Sequence, residues 1–226
     1  MVNSIYGPMI VNKLDAYQFA PLHNTTIPHI NEEIIKLFDI LSILPTHPII
    51  IDGGANIGLV TIPIAKNTSG KVYSFEPQKL IYYSLCGNIA LNQADNVTAY
   101  NLALGETVTT LSTPNINYNA PRDFGDVVLE DTGKNDVSVT TIDSLNLSGL
   151  HLLKLDVEKM EYQALLGGID TIRKFKPWCW IEYIRSDLNE LLNFFDDLGY
   201  KVYYADEANI VASPNGYTFP WMTEIE

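Results

Sequence analysis

Most of the fold information lies in one segment, Ile51-Asp52-Gly53-Gly54-Ala55-Asn56-Ile57-Gly58. It follows an all-apolar run at 48–51, which is typical of a central parallel strand covered on both faces. Glycine permits a sharp turn from a strand into a helix and lets a ligand approach the backbone, and the helix after the turn presents free N–H groups. The segment therefore predicts a strand–turn–helix unit that binds a ligand. The residues assigned to this binding turn are Asp52, Gly53, Gly54, Ala55, Asn56 and Gly58.

Strands and helices alternate along the rest of the chain. Apolar runs predict strands at 71–75, 97–102, 151–157, 178–183, 201–204 and 209–212. Helices are predicted at 31–44, 59–67, 78–92, 160–175 and 187–198. This order favours an α/β fold with a doubly wound, mostly parallel, Rossmann-like sheet.

The chain is interpreted as a short N-terminal extension, residues 1–30, followed by a single domain, residues 31–226. The extension carries short extended pieces, among them Ala16-Tyr17-Gln18-Phe19, and its pairing with a second copy leaves a homodimer open. Asn31 is predicted to cap the first helix of the domain. Residues 113–136 are rich in Asn, Asp, Pro and Gly, and they predict a long loop of the kind that closes over binding sites.

The composition argues against several classes of partner. The net charge is −13, and the 14 basic residues form no stripe, which disfavours binding to a nucleic-acid backbone. The sequence shows no signal peptide, and no apolar run reaches the ~18 residues of a membrane span. Cys86 and Cys179 lie far apart and lack a C-x-x-C partner. They are therefore interpreted as reduced thiols of a cytoplasmic protein.

A second binding signal is Glu76, which closes the strand after the glycine turn. An acid at this place in a βαβ unit accepts hydrogen bonds from ribose hydroxyls, so the turn and Glu76 together predict a nucleoside cofactor. The turn fits G-x-A-x-x-G loosely, which leaves a nicotinamide cofactor open. However, the carboxylate of Asp52 beside the turn would repel a pyrophosphate and attract a sulfonium with an amino group. This charge argument favours S-adenosylmethionine.

Six ordered segments resemble the FkbM-type methyltransferases of the class I superfamily. They are residues 52–58, 71–77, 88–92, 101–105, 154–158 and 180–182. The resemblance implies a seven-stranded sheet, S-adenosylmethionine as cofactor, and methylation of an oxygen of a sugar or another small polar acceptor. It also implies roles at matching positions. Gly53, Asn56 and Gly58 would line the methionine and ribose side, Glu76 would hold the ribose, and Asn101 and Ala103 would flank the adenine.

The candidates for catalysis follow the fourth predicted strand. Lys154, Asp156 and Glu158 alternate and so share one face, near Glu182 at the end of the next strand. Asp156 is predicted to be the base or the orienting acceptor, in contact with the cofactor, while Glu158 and Glu182 support it and Lys154 balances the charge. The alternatives are a buried ion pair that only holds the strand and a divalent cation bound by the three acids. The preferred hypothesis assigns no metal.

The substrate side is assigned to Tyr118 and Arg122 in the long loop, and to Glu161, which matches the family. Lys159 stands where the family commonly has the Gly of D-x-E-G, which puts the shape of this side in question. The main hypothesis is an O-methyltransferase acting on a small-molecule or glycan acceptor. The alternatives are a module that binds S-adenosylmethionine without transfer, and a nicotinamide-dependent oxidoreductase.

Overall fold

The computed structural model describes residues 1–225 and is built around a central eight-stranded sheet. The strands are β1 (Val2–Ser4), β2 (Gly7–Met9), β3 (Ile49–Gly53), β4 (Lys71–Phe75), β5 (Val97–Tyr100), β6 (Ala103–Leu104), β7 (Thr109–Thr113), β8 (Asn135–Thr140), β9 (Leu152–Leu155), β10 (Trp178–Glu182), β11 (Lys201–Tyr204), β12 (Asn209–Ser213) and β13 (Thr223–Glu224). The central sheet has the order β13-β11-β12-β10-β9-β3-β4-β5.

The sheet is parallel from β10 to β5 and antiparallel from β10 to β13. The predicted α/β fold with a mostly parallel sheet is therefore confirmed. The strand count is eight rather than seven because the two-residue β13 pairs with the edge strand β11. The chain runs from β3 outward to β5 on one side and from β9 outward on the other, so the strand order reverses between β3 and β9.

Seven α-helices form in residues 1–225. They are α1 (Ala16–Thr25), α2 (Asn31–Ile43), α3 (Thr61–Lys66), α4 (Lys79–Leu91), α5 (Glu161–Leu166), α6 (Ile169–Phe175) and α7 (Leu188–Asp197). The extended piece predicted at 16–19 was wrong, because the side chain of Asp15 accepts a hydrogen bond from Gln18 N and caps a helix there.

Two other predicted helix details were wrong. The cap position of α2 is Ile30, and Asn31 Oδ1 instead accepts a hydrogen bond from the hydroxyl of Tyr6 at 2.7 Å. The single helix predicted at 160–175 is divided between α5 and α6 at Gly167-Gly168. A Cβ at Gly167 would lie 2.0 Å from the carbonyl oxygen of Gly105, so the chain needs glycine at this close approach.

The central strands are buried on both faces, as their apolar runs predict. Ile50 and Ile51 are neighbours in β3, both have no exposed surface, and they belong to separate hydrophobic clusters on opposite sides of the sheet. Cys86 and Cys179 are both free thiols. No helix within residues 1–225 is long and apolar enough to cross a membrane.

The N-terminal segment packs on the sheet domain and reaches the long loop. Asn88 in α4 bonds to both the N–H and the carbonyl of Ile10, at 2.6 and 3.1 Å, and Met9 is 1% exposed. Farther along, Arg122 N donates to Leu14 O at 3.1 Å, and Ala16 N donates to Arg122 O at 3.2 Å. The loop at 114–134 is therefore tied to the N-terminal segment. The loop ends where β8 begins, at Asn135.

Candidate functional site

Two adjoining cavities lie at the carboxyl ends of β3 and β9, where the strand order reverses. The inner pocket, of about 70 Å³, is lined mainly by Phe75, Glu76, Pro77, Leu102, Ala103 and Leu104. The outer cleft, of about 580 Å³, is lined in part by Gln18, His29, Glu33, Lys154, Glu182 and Arg185. Both cavities contact Gly54, Asn56, Gly125, Asp156 and Glu158. Open α/β sheets bind ligands at this position.

The glycine turn follows β3. Gly54 in this turn lines both cavities and also allows close packing within the protein. Gly54 has a φ of 76°, and a Cβ there would lie 1.7 Å from the carbonyl oxygen of Asp156. Glycine is therefore required for the turn to pack against the end of β9. A Cβ at Gly58 would meet Leu85 of α4 at 2.9 Å, so the close packing there is with a helix and not with the sheet.

Free N–H groups were predicted for the helix after the turn, whereas the amides of the turn itself, residues 54–58, bond within the protein. Gly54 N and Ala55 N donate to Phe75 O at 3.0 and 2.9 Å. Asn56 N donates to Glu76 Oε2 at 3.0 Å, and the next two N–H groups bond within the turn. The α-helix starts only at Thr61. The amides of the turn thus hold the turn against β4 and Glu76.

Glu76 is a buried acid with a fixed carboxylate, 4% exposed. Its Oε2 accepts from Asn56 N at 3.0 Å and its Oε1 accepts from Gln78 N at 2.7 Å. Burial raises the pKa of Glu76 to about 8, against the opposing effect of these two amides. Each carboxylate oxygen has a further lone pair, so Glu76 has the capacity to accept hydrogen bonds from a bound molecule.

The two residues predicted to flank adenine take different places. Ala103 lines the inner pocket beside Leu102 and Leu104. Asn101 is not among the lining residues, and its Nδ2 donates to Glu76 O and to Pro77 O, both at 2.9 Å. Asn101 therefore positions the backbone that carries Glu76, while the apolar edge of the pocket comes from the next three residues.

Lys154 is the buried cation at the floor of the outer cleft, 2% exposed. Its Nζ lies 3.3 Å from Asp156 Oδ2, 3.9 Å from Asp52 Oδ1 and 4.0 Å from Glu33 Oε1. Burial favours the neutral amine, but the carboxylates around it, Asp156 first, raise the pKa of Lys154 above its usual value. Lys154 thus offsets the negative charge of carboxylates from α2, from β3 and from the bend after β9.

Asp52 does not line either cavity, contrary to its predicted place beside the ligand. It has no exposed surface, and its Oδ2 accepts from Thr61 Oγ1 at 2.5 Å. Lys154 offsets its charge from the other side. Asp52 therefore lies behind the turn, where it contributes to the buried charge network rather than to a direct ligand contact.

The predicted catalytic acids do meet at the cleft, but not on one strand face. β9 ends at Leu155, so Asp156 and Glu158 lie in the bend that follows. Burial, and then the charges of Asp156 and Glu158, raise the pKa of Glu182 to about 8. Burial and Asp156 raise the pKa of Glu158 to about 7. Within residues 1–225, no cluster of three or more His, Cys, Asp or Glu side chains has the geometry of a metal site.

Arg185 is a cleft residue that the sequence reasoning missed. Its Nη1 donates to Glu158 Oε2 at 2.8 Å and forms an ion pair with Asp126 from the long loop. Glu158 is therefore paired with Arg185, whereas Asp156 is paired with Lys154. The sequence offered one signal for this residue, because Arg185 comes three residues after Glu182, the last residue of β10. Gln18, His29 and Glu33 gave none, because they come from segments far from the motifs.

None of the three predicted substrate residues is among those lining the two cavities. The hydroxyl of Tyr118 donates to Gln78 Oε1 at 3.0 Å, and Arg122 donates to the carbonyls of its own loop. Glu161 is 1% exposed and accepts hydrogen bonds from Val157 N and from the hydroxyl of Ser186. These side chains brace the site, and the loop contributes Asp123, Gly125 and Asp126 to the cleft instead.

Comparisons with known proteins agree with this architecture. The methyltransferase FkbM domain model matches residues 52–202. Methyltransferase sdnD of Sordaria araneosa is 40% identical over 70 residues, which is 30% of this chain and 27% of that protein. The crystal structure of methyltransferase FkbM from Methylobacillus flagellatus KT shares the fold, with a TM-score of 0.57 and 19% identity over 76% of this chain and 45% of that chain. The matched parts span less than half the length of both relatives. The chain belongs to the FkbM methyltransferase family.

Proposed function

We propose that this chain transfers a methyl group from S-adenosylmethionine to a hydroxyl oxygen of a sugar or another small polar acceptor. The buried carboxylate of Glu76 carries the proposal, because backbone amides hold both of its oxygens at the wall of the inner pocket. That pocket adjoins the outer cleft at Asp156, and the cleft has room for an acceptor. The family supports methyl transfer, and the volume and polarity of the cleft support a small polar acceptor.

The residues of the inner pocket fit S-adenosylmethionine as the cofactor. Glu76 would hold the ribose hydroxyls, and the apolar edge at 102–104 would pack against the adenine. Gly54 and Asn56 would line the methionine side, where the two cavities meet. When bound, the cofactor supplies an electrophilic methyl group on a positively charged sulfur, and the carboxylates around the cleft suit that charge.

The nicotinamide alternative is disfavoured by the same turn. A dinucleotide is held by free backbone N–H groups that bind its pyrophosphate. Here the N–H groups from Gly54 to Gly58 all donate within the protein.

Asp156 is the residue that we assign to the acceptor's proton. Its side chain is 37% exposed and lines both cavities, and Lys154 Nζ lies 3.3 Å from its Oδ2. As the methyl–sulfur bond is exchanged for the new C–O bond, the Asp156 carboxylate would accept the hydroxyl proton. Glu182 is a weaker candidate for the base, because its pKa of about 8 keeps it mostly protonated at neutral pH. Glu182 would orient the hydroxyl by donating a hydrogen bond.

The ribose assignment is tested by calorimetric titration with S-adenosylhomocysteine. We expect Glu76→Ala to bind at least ~10-fold more weakly, because two hydrogen bonds to the ribose hydroxyls, which contribute about 0.5–1.5 kcal/mol each, are lost. Glu190→Ala is the matched control, because Glu190 is an exposed glutamate on α7 that lines neither cavity. Equal affinity of the Glu76 variant and the parent would show that Glu76 does not hold the ribose.

The role of Asp156 is tested by measuring methyl transfer to a panel of hydroxylated acceptors. We expect Asp156→Asn to bind the cofactor but to turn over at least ~100-fold more slowly, the range of general-base catalysis. Asp95→Asn, at an exposed position after α4 that lines neither cavity, is the control. A variant at Asp156 that works at the parental rate would exclude this residue as the base.

A further inference from the structure

The outer wall of the cleft, defined here as Gln18, His29 and Glu33, comes from the N-terminal segment and α2 rather than from the sheet. Gln18 is 7% exposed, yet its Oε1 has no hydrogen-bond partner among residues 1–225. The same holds for Glu33 Oε1 and His29 Nδ1. Buried polar atoms without partners are rare, because leaving them unpaired costs free energy. The outer wall therefore has hydrogen-bonding capacity that a ligand would use.

Carboxylates outnumber cations along the same cleft. Arg185 is paired with Asp126 and Glu158, and Lys154 is paired most closely with Asp156. Six further carboxylates line the cleft, from Glu32, Glu33, Asp123, Glu182, Asp206 and Glu207.

Two of these six carboxylates have a cation close by. Asp206 pairs with Lys36 at 3.5 Å, and Glu33 lies 4.0 Å from Lys154. Of the other four, Glu182 is mostly protonated at neutral pH, and the charges of Glu32, Asp123 and Glu207 still exceed the single net positive charge of S-adenosylmethionine. Burial, and the charges of Asp156 and Asp206 in addition, raise the pKa of Glu33 to about 7. The cleft as a whole thus attracts a second cation.

Tyr17 adds an aromatic surface beside these groups. It lines the cleft, is 54% exposed, and has its ring centroid 4.1 Å from that of His29. Aromatic faces next to carboxylates bind organic ammonium ions through cation–π attraction. An ammonium group would also donate hydrogen bonds to Gln18 Oε1 and Glu33 Oε1, whereas a neutral hydroxyl would bring no charge.

We propose that the methyl acceptor carries a protonated amine, which binds the outer wall through Gln18 and Glu33 while the acceptor hydroxyl reaches Asp156. The substrate class is therefore amino sugars and amino alcohols rather than their neutral counterparts. The inference rests on the proposed function, because it names the substrate class of the same site. The family model matches residues 52–202, so Gln18, His29 and Glu33 lie before the matched region. A role in binding the acceptor amine would account for their place in the cleft.

The test compares amines with their neutral N-acetyl derivatives on protein saturated with S-adenosylhomocysteine. The pairs are glucosamine, ethanolamine and tyramine, each with its N-acetyl form, and calorimetry at neutral pH measures the affinities. We expect the amine of at least one pair to bind at least ~10-fold more tightly. Glu33→Gln is expected to reduce that preference at least ~5-fold. Gln18→Leu is a second variant expected to weaken the same amine, and Glu190→Gln is the unchanged control.

The outcomes separate the two proposals. Failure of S-adenosylhomocysteine to bind the parental protein overturns the proposed function. If it binds but no amine is preferred over its neutral partner, or no probe binds at all, the amine inference alone is overturned. A preference that survives both Glu33→Gln and Gln18→Leu overturns the assignment to the outer wall. Magnesium chloride is the last arm, and tighter binding of Mg²⁺ than of every amine would identify the acids as a metal site and overturn the inference.

Discussion

Lys159 adopts a backbone conformation that costs free energy for any residue other than glycine. Its φ is 76°, and the preceding Glu158 also has a positive φ of 53°. The D-x-E-G pattern of the resembling family has glycine at this bend, and this chain keeps the bend with lysine. The side chain of Lys159 is exposed and forms no salt bridge in the described chain, so little offsets the strain. We therefore predict that Lys159→Gly stabilises the protein.

The magnitude follows from two opposing contributions. A residue with a Cβ in the left-handed region costs roughly 1–2 kcal/mol. Replacement by glycine also destabilises the protein by about 0.4–1 kcal/mol, because glycine makes the unfolded chain more flexible. The net expected gain therefore lies between about 0 and 1.6 kcal/mol, with a central value of about 0.8 kcal/mol. For a chain of this size that gain corresponds to a rise in melting temperature of roughly 1–4 °C.

The assay is thermal unfolding followed by circular dichroism, with calorimetry of S-adenosylhomocysteine on the same samples. Lys134→Gly is the matched control, because Lys134 is an exposed loop lysine without a positive φ. There the same replacement should destabilise the protein by about 0.4–1 kcal/mol. The reasoning is refuted if both variants shift the melting temperature in the same direction. A loss of cofactor affinity in Lys159→Gly would show that Lys159 contributes to the site itself.

Two further predictions concern the turn and the buried acids. Gly54→Ala should lower the stability by about 2–5 kcal/mol, from strain and overpacking, because its Cβ would lie 1.7 Å from Asp156 O; a melting temperature equal to the parent's would contradict this. The stability of the unliganded protein should fall from about pH 6.5 to pH 8. Burial raises the pKa of Glu33 to about 7, and it raises the pKa of Glu76 and of Glu182 to about 8. In the unfolded chain these pKa values lie near about 4.3. The folded state then holds more protons than the unfolded state, so raising the pH favours unfolding. Urea unfolding at both pH values measures this, and stability that rises instead would be inconsistent with buried, protonated acids.

The order of strands and helices was predictable because it depends on contiguous residues. The apolar run before Asp52 and the runs at β4, β9 and β10 are buried on both faces, as parallel strands are. Local signals failed where a distant contact overrides them. The helix predicted at 160–175 divides at Gly167 because the carbonyl of Gly105 approaches there. The helix α1 was missed because its cap, Asp15, precedes a segment that also fits an extended piece.

The residues of the candidate site likewise include some whose position local sequence signals predicted and some whose position they did not. Glu76 and Asp156 line the cavities, and this position was predictable because each follows a strand and the carboxyl ends of parallel strands meet at one edge of the sheet. The three substrate candidates, Tyr118, Arg122 and Glu161, lie beside the cavities rather than in their linings. Their residue types suit a binding loop, but residue type does not show whether a side chain turns inward to brace the protein or outward to a ligand.

Contiguous residues alone account for the strand–turn–helix unit, the acid at the end of β4 and the family to which the chain belongs, since dihedral preferences and hydrophobic periodicity act over a few neighbours. The partners of the charged groups are a matter of three-dimensional packing. Lys154 lies among carboxylates from α2, β3 and the bend after β9. Two of these carboxylates differ in position, because Asp52 lies behind the turn whereas Asp156 faces the cavities. Electrostatic energies depend on distances through space and on burial, and neither quantity can be read from separation along the chain.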